Sequence, residues 1–227
     1  MSNPTQEPQI SDAVLRLRRL DVCAVSDACD KLGLSGGVVT GVPQASGAGR
    51  IAGRVTTVKL GLGAPPPGPP RHLGTTTIEA SGPENIIVVE QRTGRDAGSW
   101  GGILTLGAKV RGVVGVLADG PVRDIDEARG YDFPVFTKLF TCRTARGRVT
   151  ELGANVPIVF EGVLVNPGDY VVADSSGIVF ITPDKIEALL EAAETIVAKE
   201  ADMAKALLAG VPITQVMGGN YEHMLKA

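Results

Sequence analysis

The stretch Trp100–Asp124, WGGILTLGAKVRGVVGVLADGPVRD, indicates the fold class most directly because it joins a helix to a buried strand. Two glycines precede the apolar segment Ile103–Arg111, whose length and spacing predict a helix. The run Val113–Ala118 is short, continuous and apolar, which predicts a strand buried on both faces. Asp119–Pro121 then turns the chain. A helix followed directly by a buried strand predicts a mixed α/β domain.

The flanking sequence predicts helices at both ends of the chain and a β-rich centre. Residues 11–32 predict one or two helices, and a long helix is predicted to begin with Thr182 as its cap and Pro183 at its first position. Gly36–Gly49 is rich in Gly, Pro and Ser and predicts a loop. The remaining predictions are strands at 54–60, 86–90, 135–136, 158–160, 163–165, 170–173 and 178–181, helices at 72–80 and 124–129, and a stiff proline-rich loop at 61–70. The order of these elements does not indicate a regular series of βαβ units.

Length and composition exclude several classes of protein. The chain has 227 residues, of which 44% are hydrophobic, so it can bury a sizeable core. We expect one domain over residues 1–227, with a flexible N-terminus at 1–10 and a C-terminal helix and tail at 183–227. The net charge of -3, with Lys and Arg scattered, argues against a nucleic-acid binder. No run approaches the roughly 18 apolar residues of a membrane helix, and the polar N-terminus predicts a cytoplasmic protein with no membrane contact.

The scarcity of soft ligands limits the kind of metal site that the chain can build. It has three cysteines without a CxxC pair, and its two histidines are His72 and His223. A cysteine-rich or histidine-rich zinc site is therefore not expected. Any metal should be held by carboxylates and water, which favours Mg²⁺ or Mn²⁺.

Three features of the Trp100–Asp124 stretch together predict a site for a small 2-oxo acid. Gly101 and Gly102 lead into a helix whose first amides lack internal partners, and such amides bind anions. Arg123 can bind a carboxylate or an oxo group through its fork of donors, and Asp124 can hold a hard divalent cation. Taken singly, a glycine pair before a helix and a surface Arg–Asp ion pair are common without function. Their combination in one stretch is what indicates a site.

Blocks along most of the chain resemble one family: regulator of ribonuclease activity A together with the 4-hydroxy-4-methyl-2-oxoglutarate/4-carboxy-4-hydroxy-2-oxoadipate aldolases, which are class II pyruvate aldolases. The block NVPIVFEGVLVNPGDYVVADSSGIVFI (155–181) is the most specific. The other blocks are VSDACDKLGLSGG (25–37), RIAGRVTTVKL (50–60), GVVGVLADGPVRD (112–124), FPVF (133–136) and the terminal helix. The resemblance implies an α/β/β/α swivelling-domain sandwich or barrel core, a homotrimer or homohexamer, and active sites between subunits.

The resemblance also implies roles for individual residues. Asp124 would bind Mg²⁺, Arg123 would be the catalytic residue that binds the pyruvyl oxygen, and the amides of Ile103 and Leu104 would hold the substrate carboxylate. The family's aldolases carry an acid twenty-one positions before this arginine, and this chain has Gly102 there. Further candidates for a role in the site are Asp96, Asp119, Glu200 (entering a neighbour's site) and His72.

The function that we expect is a divalent-metal-dependent carbon–carbon lyase acting on small 2-oxo acids. It would release pyruvate by retro-aldol cleavage, decarboxylate oxaloacetate, or both. Two alternatives stay open because Gly102 replaces an acid: a non-catalytic regulator that binds a ribonuclease or helicase, and an enzyme of the same fold that acts on a different oxo compound.

Overall fold

The computed structural model describes residues 10–69 and 71–218, and it confirms the predicted mixed α/β fold with helices at both ends. The helices are α1 (Asp12–Leu17), α2 (Val22–Leu32), α3 (Thr75–Glu79), α4 (Gly102–Val110), α5 (Ile125–Gly130), α6 (Ile186–Leu208) and α7 (Ile213–Val216). The strands are β1 (Val38–Val39), β2 (Gln44–Ser46), β3 (Ile51–Gly61), β4 (Asn85–Gln91), β5 (Gly115–Ala118), β6 (Val135–Thr137), β7 (Thr150–Ala154), β8 (Ile158–Phe160), β9 (Val163–Val165), β10 (Tyr170–Asp174) and β11 (Gly177–Ile181).

The centre of the fold is a curled sheet with the order β1-β11-β10-β3-β4-β5-β6-β2, to which β7 adds by pairing with β3. Strands β3, β4, β5 and β6 are parallel neighbours, and α3, α4 and α5 are the crossovers between them. The expectation that the chain lacks a regular βαβ series is therefore wrong for 51–137. The helical signal was weak because α3 and α5 have only 5 and 6 residues.

Strand β3 connects the two halves of the sheet. One edge of the strand pairs with β4 in parallel from Arg54 to Leu60. On the other edge, its first residues pair with β10 and its last residues with β7, both antiparallel. Eleven residues are long enough for these two partners to lie end to end along one edge.

Successive residues of a strand point to opposite faces, so the sheet buries two apolar surfaces. One face carries a cluster that includes Phe136 and Phe180 and is covered by the β8–β9 hairpin through Ile158 and Phe160. The other face is covered by two groups of helices. Helices α1, α2 and α6 pack over β10 and β11. Helices α3, α4 and α5 pack over the parallel strands around Trp100.

Several elements differ from the sequence predictions. Strand β7 was not predicted, and β1 and β2 lie within the predicted loop Gly36–Gly49. Each of these strands is held by a distant partner, which a local pattern does not reveal. Helix α6 begins at Ile186 rather than Pro183, because Thr182 donates its hydroxyl to Asp184 and residues 183–185 form a turn.

The ends of the predicted domain lie mostly outside the described residues. The flexible N-terminus predicted at 1–10 is described only at Ile10, and the tail with His223 lies beyond Gly218. Within 10–69 and 71–218, no helix combines the length and the apolar character needed to cross a membrane.

Candidate functional site

The candidate site lies where β4 and β5 end, at the carboxyl edge of the parallel strands. This edge is where α/β sheets usually bind ligands. The loop after β4 and the loop after β5 run side by side, because Ser99 donates its amide to the Pro121 carbonyl at 2.7 Å and Arg123 donates to the Trp100 carbonyl at 3.0 Å. The Trp100 ring is buried and donates from Nε1 to Oγ1 of Thr105 at 2.9 Å. These contacts fix the start of α4 against the Arg123–Asp124 pair.

Asp124 links the three parts of the predicted site. Its Oδ2 accepts a hydrogen bond from the Gly102 amide at 3.1 Å and another from Nε of Arg123 at 3.0 Å. The side chains of Arg123 and Asp124 are 37% and 33% exposed, so neither is turned into bulk solvent. Asp124 is also the N-cap of α5 with φ 55° and ψ 36°, a left-handed conformation that is unfavourable for most non-glycine residues. Backbone strain of this kind concentrates at functional sites.

Two glycines make room for the stem of Arg123. A Cβ at Gly98 would lie 3.0 Å from Cδ of Arg123, and one at Gly101 would lie 3.1 Å from its Cγ and 3.0 Å from Oδ2 of Asp124. Larger residues would push the arginine away from α4. Within the described residues, Arg123 forms its side-chain hydrogen bond through Nε, which leaves both terminal amino groups for a ligand.

The start of α4 presents the amides that the sequence predicted as an anion site. Helix α4 has 9 residues and begins directly after Gly101. The Gly102 amide bonds to Asp124, whereas in the described part of the chain the amides of Ile103 and Leu104 donate to no protein acceptor. Such amides carry part of the positive end of the helix dipole. The structure therefore brings Gly101, Gly102, Ile103, Leu104, Arg123 and Asp124 together.

Glu127 is a member of this group that the sequence analysis missed. A Cβ at Gly102 would lie 1.8 Å from Oε2 of Glu127 and 3.2 Å from Cβ of Asp124. The carboxylate of Glu127 thus occupies the volume in which a side chain at position 102 would begin. A signal was present in the sequence, because residues three apart on a helix share a face and Glu127 follows Asp124 by three.

Asp96 and His72 are not held at the centre of this group. Asp96 is exposed and forms an ion pair with Nε of Arg143 at 2.8 Å. His72 is exposed, with Nδ1 3.0 Å from the carbonyl of Leu73. The segment that follows His72 does reach the site's flank, because a Cβ at Gly74 would lie 3.4 Å from the ring of Trp100.

Asp119 is buried next to Arg92 and Glu161. Its side chain is 9% exposed, and Oδ2 lies 3.9 Å from Nε of Arg92 without a hydrogen bond. Burial, together with the charge of the neighbouring Glu161 carboxylate, raises the pKa of Asp119 from 3.8 to about 6. Asp119 therefore faces Arg92 and Glu161, not the position of the missing acid.

Glu200 lies in the other group of helices. Helix α6 packs on α2, and partial burial together with the charges of Asp21 and Asp27 raises the pKa of Glu200. Within one chain, Glu200 therefore belongs to an acidic surface beside α2 rather than to the start of α4.

A cavity of about 480 Å³ opens at the same edge of the sheet. It is lined by Leu62, Gly63, Arg95, Gly147, Arg148 and Thr150. Arg123 and Asp124 do not line this cavity.

The donors at the site suit a hard divalent cation. Within residues 10–69 and 71–218, no group of three or more His, Cys, Asp and Glu side chains has the geometry to enclose a metal. Both carboxylates border Gly102, because Oε2 of Glu127 lies where its Cβ would be and Oδ2 of Asp124 accepts from its amide at 3.1 Å. Mg²⁺ typically takes one or two carboxylates and keeps several waters, so this donor set fits Mg²⁺ or Mn²⁺.

Comparison with known proteins identifies the family of this chain. Residues 22–180 match the family described as RraA-like, Aldolase/RraA. An uncharacterized protein of Methanocaldococcus jannaschii is 36% identical over 171 residues, which cover 74% of this chain and 77% of that protein. A Halalkalibacterium halodurans protein, provisionally named a 4-hydroxy-4-methyl-2-oxoglutarate aldolase, is 30% identical over 195 residues, with 84% and 85% covered.

Solved structures show the same architecture. The crystal structure of an uncharacterized protein from Pseudomonas syringae has a TM-score of 0.79 at 27% identity and covers 93% of this chain and 100% of that one. The RNA-processing inhibitor RraA from Thermus thermophilus has a TM-score of 0.57 at 25% identity, with 69% and 91% covered. The family match spans well over half of the sequence, and the chain therefore belongs to the aldolase/RraA-like family.

Proposed function

We propose that this protein is a divalent-metal-dependent carbon–carbon lyase that acts on small 2-oxo acids. The observation that carries the proposal is the pair of hydrogen bonds to Oδ2 of Asp124, from the Gly102 amide and from Arg123. These bonds hold a guanidinium, a carboxylate and the unpaired amides at the start of α4 around one small surface. A 2-oxo acid presents a carboxylate and an adjacent carbonyl oxygen, which match these groups.

The chain's own residues would bind and orient the substrate. The amides of Ile103 and Leu104 donate to its carboxylate, and the free terminal amino groups of Arg123 donate to its 2-oxo oxygen. As the carbon–carbon bond breaks, its electron pair moves towards that oxygen and gives an enolate of pyruvate. A preorganised cationic donor aimed at this developing charge contributes about 3 kcal/mol to transition-state stabilisation.

Asp124, with Glu127 beside it, would hold Mg²⁺ or Mn²⁺. When bound, such a cation supplies Lewis-acid polarisation of the 2-oxo group. Decarboxylation of oxaloacetate needs no base to remove a hydroxyl proton: carbon dioxide leaves, and the enolate takes a proton from solvent. This reaction is therefore the first to assay, with retro-aldol cleavage of 4-hydroxy-2-oxo acids as the second.

The test measures pyruvate release from oxaloacetate through NADH oxidation by lactate dehydrogenase, with Mg²⁺ and again with EDTA. We expect turnover above the rate of Mg²⁺ alone, and no turnover in EDTA. Arg123→Lys should lower kcat about 100-fold, because an ammonium cannot reproduce the guanidinium fork. Asp124→Asn should weaken Mg²⁺ activation.

A neighbouring ion pair provides matched controls. Asp126 and Arg129 lie on α5 and are joined at 2.9 Å, and Asp126 is 91% exposed. Asp126→Asn and Arg129→Lys should keep the activity of the natural protein. The lyase would be refuted if the two control variants lost as much activity as Arg123→Lys and Asp124→Asn. It would also be refuted if neither Mg²⁺ nor Mn²⁺ supported turnover of oxaloacetate or of a 4-hydroxy-2-oxo acid.

A regulatory function is the second candidate, and an exposed apolar surface favours it. The outer face of α4 carries Ile103 and Val110, each 79% exposed, with Leu106 between them. Such a surface suits binding to another protein. The solved inhibitor of RNA processing has the same fold. A regulatory function would be favoured if the purified protein bound a purified ribonuclease or helicase directly and the same preparation turned over no 2-oxo acid.

The same surface supports self-association. We propose that the apolar face of α4 packs against a second copy in a homotrimer or homohexamer. The neighbouring subunit would then cover the exposed third of the Arg123 and Asp124 side chains and complete the site.

A further inference from the structure

The tip of the β8–β9 hairpin brings one acid against another at the edge of the sheet. The hairpin turns at Glu161 and Gly162, whose φ values of 47° and 90° are typical of a tight two-residue turn. Nζ of Lys138, directly after β6, lies 2.6 Å from Oε2 of Glu161. Asp119, directly after β5, is the other close neighbour of Glu161. The turn therefore adds a second carboxylate beside an acid that the strands already bury.

Asp119 lacks the donors that a buried carboxylate requires. Its side chain is 9% exposed, and within the described residues its Oδ2 has no hydrogen-bond partner. Nε of Arg92 lies 3.9 Å from that oxygen, which is too far for a hydrogen bond. A buried oxygen without a donor costs free energy, whereas a protonated carboxyl can itself donate to the neighbouring Glu161. This geometry favours a proton on Oδ2.

We propose that a proton on Oδ2 of Asp119 closes a latch by donating to the Glu161 carboxylate, which ties the hairpin tip to the end of β5. Loss of the proton leaves two neighbouring carboxylates, and their repulsion releases the tip. The ionised Asp119 then attracts Arg92, whose side chain is 51% exposed and free to approach. The latch goes beyond the proposed lyase and does not depend on it.

The pH range of the latch follows from the environment of Asp119. Burial, with a further contribution from the charge of Glu161, raises the pKa of Asp119 from 3.8 to about 6. A raised carboxyl pKa stabilises the closed form at low pH, and this stabilisation disappears as pH rises through 6. Because burial is the larger cause, we assign to Glu161 roughly one pH unit, which corresponds to a tenfold change in the equilibrium.

Two other charged residues hold the hairpin without involving Asp119. Lys138 binds Glu161, and Oε2 of Glu90 on β4 accepts a hydrogen bond from the Val159 amide at 2.7 Å. Phe160 is fully buried in the cluster beneath the hairpin. These contacts keep the strands of the hairpin on the sheet when Asp119 is ionised, so the opening is confined to the tip.

Hydrogen exchange of the full chain, followed by mass spectrometry at pH 5 and pH 8, tests the proposal. Exchange is expressed as protection relative to an unstructured peptide at the same pH, which removes the pH dependence of the chemical step. Protection of the amides of residues 158–165 should be about tenfold lower at pH 8 than at pH 5 in the natural protein.

Two variants remove one charge of the pair and preserve the size of the side chain. In Asp119→Asn and in Glu161→Gln, the new amide donates to the remaining acid at either pH. Protection of the hairpin should therefore be the same at pH 5 and pH 8 in both variants. Asp126→Asn removes an exposed carboxylate from α5 and should keep the tenfold change of the natural protein.

The outcomes decide the proposal without an activity assay. Loss of the pH effect in both variants, with the effect retained in Asp126→Asn, supports the latch. A pH effect that persists in either variant, or equal protection at both pH values in the natural protein, would overturn it. Circular dichroism checks that each variant is folded, and if one of the two fails to fold, the other decides. Because no substrate is added, the result is independent of whether the protein is a lyase.

Discussion

The fold stabilises the carboxylates of Asp124 and Asp119, at the carboxyl edge of the parallel strands, to different degrees. Asp124 is compensated by Arg123 and by the Gly102 amide. Asp119 is buried near Glu161, and its Oδ2 accepts no hydrogen bond. Burial raises the pKa of Asp119 to about 6, so the folded protein binds this proton more tightly than the unfolded chain does. A raised carboxyl pKa stabilises the fold at low pH, and the stabilisation disappears as pH rises from about 4 to 6.

Asp119→Asn should remove that pH dependence. We expect the variant to match the natural protein near pH 4 and to exceed its free energy of unfolding by about 2 kcal/mol at pH 8, where the natural side chain is charged. Urea denaturation across this range measures the difference. Asp126→Asn, at an exposed position, should follow the natural pH profile. A loss of stability in Asp119→Asn at every pH would mean that the carboxylate is needed as an acceptor.

The sequence analysis found the site residues that lie in one continuous stretch and missed Glu127, which meets Gly102 only in the folded chain. Arg123, Asp124 and the glycine pair before α4 were predicted because one continuous stretch contains them all. Glu127 was missed because its relation to Gly102 crosses from one helix to another. The spacing of three between Asp124 and Glu127 was a local signal, but it does not show that the Glu127 carboxylate fills the space beside Gly102.

At the scale of elements, α4 has two apolar faces although it covers only one side of the sheet. Leu104 and Ala108 are buried against the parallel strands, whereas Ile103 and Val110 are exposed. A helix that is apolar all round is normally buried on both sides. In a homo-oligomer, a second copy would cover the outer face.

Val110→Asp should therefore dissociate the assembly. Val110 lies at the end of α4 farthest from the Ile103 amide, so the change tests association without altering the anion site. Light scattering after size exclusion should show a shift from a multiple of 23.5 kDa to a single chain. Ala198→Asp places the same charge at an exposed position of α6 and should leave the mass unchanged. A natural protein that elutes as a monomer would refute the oligomer.

Elements with an internal pattern were predicted well, and elements defined by a partner were not. Strands β4, β10 and β11 and helix α4 have strong apolar patterns, and their predicted bounds agree with the structure to within two residues. Strand β7 is half-exposed along most of its length and depends on β3 for its hydrogen bonds. Such a strand can be predicted only when its pairing partner is known, and the local sequence pattern does not reveal that partner.

At the scale of the whole molecule, β3 joins the three apolar clusters into one cooperative structure. Ala52 belongs to the cluster under α6, Val55 to the cluster under the β8–β9 hairpin, and Val58 to the cluster around Trp100. Because β3 contributes residues to all three clusters, disruption of one cluster disturbs the packing of the other two. The described part of the chain should therefore unfold in one transition.

A substitution under α6 should consequently be detected by Trp100, which belongs to a different cluster. Leu190→Ala empties a buried position and should lower the free energy of unfolding by about 2–5 kcal/mol. The transition measured by Trp100 fluorescence should move together with that measured by far-UV circular dichroism. Leu208→Ala, at a position 90% exposed, should move neither. A fluorescence midpoint that stays in place while dichroism becomes biphasic would show that the clusters unfold separately.

The pairing of β3 with β10 also constrains how the protein is made. Ribosomes add about 5–20 residues per second, so the first half of β3 emerges on the order of ten seconds before its neighbour at Tyr170–Asp174 has been translated. During that interval an apolar strand presents an open edge, which is prone to aggregation. A nascent chain that ends before β10 therefore leaves the first half of β3 without its antiparallel partner.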